Sequence, residues 1–147
     1  MEGRVLGIDF GVRRIGIAIS DPSGIIAQGL DTIEYEGLDE AFKILGGILD
    51  RFEVAEAVIG LPLTLKGKSG ESVNRVMKFG ESLKSRFDVQ VSYLDERFTS
   101  VMAERSLKEM GQSPSRVKGS IDRIAATILL QDHLNRQAQI TDSCSSI

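Results

Sequence analysis

The 147-residue chain has one cysteine, one histidine and three prolines. The cysteine, Cys144, sits in a serine-rich C-terminal stretch, which excludes both a disulfide framework and a thiolate metal site. No apolar run approaches the roughly 18 residues of a membrane span, so no membrane partner is expected. The N-terminus passes from Met1-Glu2-Gly3 straight into strand-like sequence, and a secretory signal is not expected. A strong basic excess is also missing. The net charge of −3 argues against a non-specific nucleic-acid coat, while leaving room for a local basic patch. With 41% hydrophobic and 27% charged residues, the composition is that of a globular, cytoplasmic protein with a core of its own.

The most informative stretch is Arg4-Val5-Leu6-Gly7-Ile8-Asp9-Phe10-Gly11, followed by Arg14-Ile15-Gly16-Ile17-Ala18-Ile19-Ser20. The first run reads as a buried strand that ends in a carboxylate and a glycine turn. The second alternates, with Ile15, Ile17 and Ile19 on one face and Gly16 and Ala18 on the other. A carboxylate at the end of such a strand is costly to bury unless it is paired or holds a metal. Asp9 is therefore the first candidate site residue.

Asp21-Pro22-Ser23-Gly24 reads as a tight turn into a third strand over about Ile25 to Ile33. Short connections make these three strands antiparallel neighbours. Helical spacing then predicts a helix from about Leu38 to Phe52, followed by a strand from Ala55 to Gly60. Leu63 to Gly70 reads as a Lys/Gly-rich loop, Val73 to Phe87 as a second helix, and Val89 to Leu94 as a fifth strand. A third helix is capped by Thr99 or Ser100 and stops at Gly111. Ser113-Pro114 opens the approach to a last helix, from about Gly119 to Arg136. This order predicts an α/β domain over residues 1–137, with a five-stranded mixed sheet and helices on both faces. Three of its strands are antiparallel and two join in parallel through crossovers. Residues 138–147 lack apolar periodicity and are expected to form a disordered tail.

Such a fold brings carboxylates together: Asp9 from the first strand, Asp95 and Glu96 from the end of the fifth, and Asp122 from the last helix. Asp122, Ala125, Ala126 and Leu129 share one helical face, and the two alanines allow a close approach to the sheet. Lys118 lies one turn earlier on the same face. Carboxylates without histidine or thiolate suit Mg²⁺ or Mn²⁺. Two such ions activate water and stabilise a leaving oxygen in phosphodiester hydrolysis. Arg13, Arg14, Lys66, Lys68, Arg97 and Arg116 fall in or beside loops and helix ends, where they can hold nucleic-acid phosphates. Each residue also has a plainer reading. Asp9 can cap a turn, Glu96 can pair with Arg97 or Arg13, Asp122 can sit on a helix dipole, and the cations can be solvated surface. His133 reads as a helix-surface residue.

Four segments together resemble the YqgF/RuvX family, the Holliday-junction-resolvase-like nucleases of the ribonuclease H fold. They are Gly7 to Gly11 with Arg14 to Ala18, Val58-Ile59-Gly60-Leu61-Pro62, Leu94 to Ser100, and Lys118 to Asp122 with Ala125-Ala126 and Ile128 to Gln131. The resemblance implies that Asp9, Glu96 and Asp122 are the catalytic, metal-binding acids, with Asp95 supporting. It further implies a cytoplasmic nuclease acting on the 16S ribosomal RNA precursor at its 5′ end. The chain departs from the family at Leu65 to Gly70, where lysines replace a common acidic turn, and after Gln137. A resolvase acting on DNA four-way junctions is the alternative and needs a homodimer; the expectation is a monomer or weak homodimer. An actin-like ATP-binding module and a non-catalytic RNA-binding protein are the other classes considered.

Overall fold

The alternation in the first two strands sorts their side chains onto opposite faces of one mixed sheet. The computed structural model describes residues 3–61, 70–95 and 118–145. In chain order the elements are β1 (Arg4–Phe10), β2 (Arg14–Ser20), β3 (Ala27–Gly29), β4 (Ile33–Glu34), α1 (Leu38–Arg51), β5 (Val54–Leu61), α2 (Glu71–Phe87), β6 (Gln90–Asp95) and α3 (Lys118–Ser145). The sheet runs β3-β2-β1-β5-β6, with β4 also on β2. β1 and β2 are antiparallel, with Ile8 opposite Ile17. β5 lies parallel to β1, and β6 parallel to β5.

Successive strand residues point to opposite faces. Leu6, Ile8 and Phe10 of β1, Ile15, Ile17 and Ile19 of β2, and Ala57 and Ile59 of β5 face α1 and α2. There they meet Phe42, Leu45, Val76, Phe79 and Leu83. The other face carries Val5, Ala18 and Val58 against Ala126, Leu130 and Leu134 of α3. Helices thus cover both faces, as the sequence predicts.

The third strand departs from expectation. It is two short pieces, both paired with β2, so the sheet has six strands in five positions. Gly29 and Asp31 are poor strand residues. The chain leaves the ladder between them and rejoins it at Ile33. Ile25 and Ile26 belong to the preceding turn, where the Asp21 carboxylate accepts their backbone N–H groups at 2.7 and 2.8 Å. The last helix is longer than expected. It continues to Ser145 instead of ending near Arg136. No Gly or Pro interrupts residues 137–145, and extending an existing helix needs no further nucleus. The loop expected from Leu63 (apart from Gly70), the helix expected from Thr99 or Ser100 to Gly111, and Ser113-Pro114 lie outside the described residues.

His133 is not a surface residue. It is 8% exposed, and its Nε2 lies 3.3 Å from Glu56 Oε1. The Ser92 hydroxyl donates to the other oxygen of Glu56 at 2.7 Å. The hydrogen bond with His133 is the main cause that holds the Glu56 carboxyl below its ordinary value, against a burial that pushes it up. His133→Ala removes one of the two partners of a partly buried carboxylate and leaves it to Ser92 alone. It is expected to lower stability by about 1–3 kcal/mol in urea unfolding, the penalty of an unmade buried hydrogen bond. An unchanged midpoint would mean that the pair contributes nothing.

Candidate active site

Asp9 is the sixth residue of β1 and pairs with Gly16 of β2, near the carboxyl end that β1 shares with β5 and β6. Its strand-mates Val5 and Gly7 face α3, and Asp9 follows them by alternation. A Cβ at Gly7 would lie 2.7 Å from Leu130 Cβ. A Cβ at Gly16 would overlap the Asp122 carbonyl oxygen. The start of α3 therefore lies directly over Gly16, and Asp122 is carried to Asp9.

The face predicted for this helix is the one observed. Ala125, Ala126 and Leu129 are at most 1% exposed, and Asp122 heads the row. Burial pushes the Asp122 carboxyl above its ordinary value, and the Asp9 charge pushes it further. Arg14 opposes both, with its Nε 3.5 Å from Asp122 Oδ2. The arginine expected to hold substrate phosphate is thus partly engaged by the acid pair.

The turn after Asp9 is held from two sides. The Gly11 N–H donates to the Arg14 carbonyl at 2.9 Å, and the Tyr35 N–H to the Arg13 carbonyl at 3.1 Å. The Tyr35 hydroxyl donates to the Gly11 carbonyl at 2.5 Å. A groove of about 680 Å³ opens beside this turn, lined by Arg13, Arg14, Glu34, Tyr35, Glu36 and Glu40. Among the described lining residues its glutamates outnumber its arginines, so it is not a uniformly basic surface.

Asp95 ends β6, opposite Leu61, and is exposed. Its strand-mates Val91 and Tyr93 pack on the α1/α2 side, and Leu94 on the α3 side. Alternation therefore puts Asp95 on the face opposite to Asp9. Lys118 is the first residue of α3. Glu96, Lys66, Lys68, Arg97 and Arg116 lie outside the described residues. No group of three metal-binding side chains occurs among the described residues. The residues that sequence reasoning passed over are Tyr35, which pins the Asp9 turn, and Arg75, whose charge acts on Tyr35. No local pattern marks Tyr35. Arg75 and Lys78 follow each other at i, i+3 on α2, a faint signal.

The family described as "RuvX: Holliday junction resolvase" matches residues 3–136. The chain belongs to this family. Among its relatives, a protein of Halothermothrix orenii named "Putative pre-16S rRNA nuclease" is 39% identical over 137 residues, covering 93% of this chain and 98% of the relative. One from Lactobacillus johnsonii is 43% identical over 135 residues, covering 89% and 94%. Of solved structures, T. thermophilus RuvC in complex with a Holliday junction substrate aligns with a TM-score of 0.55 at 12% identity, covering 93% of this chain and 96% of RuvC. The fowlpox virus Holliday junction resolvase aligns at 0.54 and 11%, covering 90% and 99%. The RuvX chain thus has the ribonuclease H-like fold of these resolvases.

Gly16→Ala changes neither acid side chain but forces α3, and Asp122 with it, away from the sheet. Such overpacking against main chain is expected to cost about 1–3 kcal/mol and to remove most nuclease activity. Full activity at native stability would show that the helix approach is not what assembles the pair. Asp122→Asn tests the electrostatics. The folded carboxyl takes up its proton at a higher pH than the unfolded one, so its ionisation destabilises the fold above that raised value. The penalty fades as pH falls and is gone near the unfolded value of about 3.9. The variant is expected to melt a few degrees above the native chain at pH 7, with the margin closing towards pH 4 in stepped-pH calorimetry. A variant that melts well below native at pH 7 would mean that the Arg14 pairing outweighs burial and repulsion.

Proposed function

We propose that this RuvX chain is a metal-dependent nuclease that hydrolyses phosphodiester bonds in the 16S ribosomal RNA precursor, at its 5′ end, in the cytoplasm. The observation that carries this reading is the meeting of Asp9 and Asp122 across Gly16, in a chain whose relatives carry the name "Putative pre-16S rRNA nuclease".

The donor chemistry suits a hard divalent cation. Two carboxylates face each other without histidine or thiolate beside them, and their repulsion is the kind a bound cation relieves. Asp9, Asp122 and Glu96 are assigned to hold Mg²⁺ or Mn²⁺, in a two-ion arrangement, with Lys118 supporting; Asp95, on the opposite face of the sheet, is not assigned to it. When bound, such ions supply an activated water and neutralise charge on the leaving oxygen. The chain's own residues do the rest. The turn from Gly11 to Arg14 holds Asp9 in place, and Arg14 limits the repulsion that Asp122 meets. Arg13, exposed at the turn, is assigned to take a substrate phosphate, and Lys66, Lys68, Arg97 and Arg116 the same role.

Cutting of DNA four-way junctions is the second reading, favoured by the family's description. It requires a homodimer, because two strands must be cut symmetrically. Labelled ribosomal RNA precursor and a labelled four-way junction, each given Mn²⁺ with native protein or Asp9→Asn, separate the two. RNA cutting by native protein alone is expected, and it should stop when EDTA removes the metal. Junction cutting alone would favour the resolvase. Cutting by both proteins would take Asp9 out of the site, and cutting of neither substrate would leave the binding-module and ATP-binding classes.

Charge reversal of Arg13 and Arg14 together is expected to weaken RNA binding and to flatten its salt dependence by about one counterion per lost phosphate contact. Binding indifferent to both changes would place the phosphate path elsewhere.

A further inference from the structure

On the α1/α2 side of the Asp9 turn lies a second groove, of about 340 Å³, that the acid pair does not use. Its floor belongs to a column of near-parallel rings. Phe42 and Phe79 are 5.3 Å apart, Phe79 and Phe10 4.2 Å, and Phe10 and Tyr35 6.3 Å, at interplanar angles of 14–17°. Two apolar side chains at its rim are exposed: Val12 at 64%, in the turn after Asp9, and Leu38 at 47%, the first residue of α1. Arg75 and Lys78 form the opposite wall from α2, and neither makes an ion pair with another described residue. Glu36 also lines it. Tyr35 and Glu36 are shared with the groove at Arg13 and Arg14, so the two meet around the turn that carries Asp9.

An apolar floor, two cations on one wall and a single carboxylate do not match a simple anion, which Glu36 would repel. They match a nucleotide. The base is apolar on its faces, its edge amino groups can donate to Glu36, and its phosphates meet Arg75 and Lys78. The volume lies at the small end of the roughly 300–1,000 Å³ range of ligand sites, which admits one such group and not a stacked pair. Val12 and Leu38 stand at one rim of this groove, facing the cations of α2, so apolar and cationic groups meet in one concave site. We infer that this groove receives one unstacked nucleobase of the RNA strand next to the cleavage site, with Arg75 and Lys78 on its flanking phosphates. The inference rests on the nuclease reading and adds to it a preference for single-stranded substrate at that position.

The test is binding of a short labelled single-stranded RNA and of a duplex with the same phosphates, in the Asp9→Asn background so that nothing is cut. Arg75→Ala/Lys78→Ala removes the cations from an exposed helix face. Leu38→Asp replaces the apolar rim at the start of α1, where an acid suits the helix and folding is not threatened. Both are expected to weaken single-strand binding by roughly tenfold, on the scale of one lost base contact, while duplex binding stays within about twofold. The loss in Leu38→Asp should persist at high salt. Equal losses for single strand and duplex would overturn the base pocket and leave only a phosphate patch. Unchanged single-strand binding in both variants would overturn it as well, with the nuclease reading intact. Failure of the Asp9→Asn parent to bind either RNA would overturn the RNA reading itself and this inference with it.

Discussion

Helix α3 lies so close to β1 and β2 that neither Gly7 nor Gly16 has room for a Cβ beneath it. Most of what distinguishes this face of the sheet follows from that contact. It brings Ala125, Ala126 and Leu130 down onto Val5, Ala18 and Val58 and seals the smaller core. It sets Asp122 over the pair formed by Gly16 and Asp9. Roughly two and a half turns after Asp122, Gln131 accepts from the Ala27 N–H at 2.9 Å and donates to the Ile25 carbonyl at 2.9 Å. It thereby ties the short β3 strand to the helix. His133 then reaches Glu56 across β5. A helix held further from the sheet would lose the packing, the acid pair and the pinned edge together.

The acid pair works against the fold that creates it. Asp122 is half-buried, stands near a second negative charge and has one arginine in partial compensation at 3.5 Å. A folding optimum would place an amide or an apolar residue there. Sites of metal-assisted chemistry characteristically keep such strained electrostatics, because the same repulsion makes a cation bind. The Glu56–His133–Ser92 network shows the opposite arrangement on the same face. Its carboxylate is matched by two hydrogen-bonding partners and is held ionised by them. One acid is stabilised by the fold and the other is destabilised by it.

The turn from Gly11 to Arg14 joins the two faces of the sheet. Asp9, just before it, faces α3, while Phe10 and Tyr35 belong to the aromatic column under α1 and α2. The Tyr35 hydroxyl, by holding the Gly11 carbonyl, links the position of that column to the position of the strand end that carries Asp9. A strand of nucleic acid crossing the turn would meet Arg13 on one side and Arg75 with Lys78 on the other.

The sequence by itself determined the features that depend on near neighbours in the chain. The alternation of Ile15, Ile17 and Ile19 with Gly16 and Ala18 assigned both faces of β2, because a strand's period is two. The spacing of Asp122, Ala125, Ala126 and Leu129 assigned the buried face of α3, because a helix repeats every 3.6 residues. His133 continues that row, and its burial was readable there too. Tertiary structure alone decided the rest. The split of the third strand depends on how β2 offers its edge. The Asp95 face depends on register with β5, and the Glu56–His133 pair joins residues 77 positions apart. Tyr35, Arg75 and Lys78 come to the Asp9 turn from elements that sequence spacing cannot relate to it. Local periodicity states which way a side chain points, and only the packed sheet and helices decide what it meets.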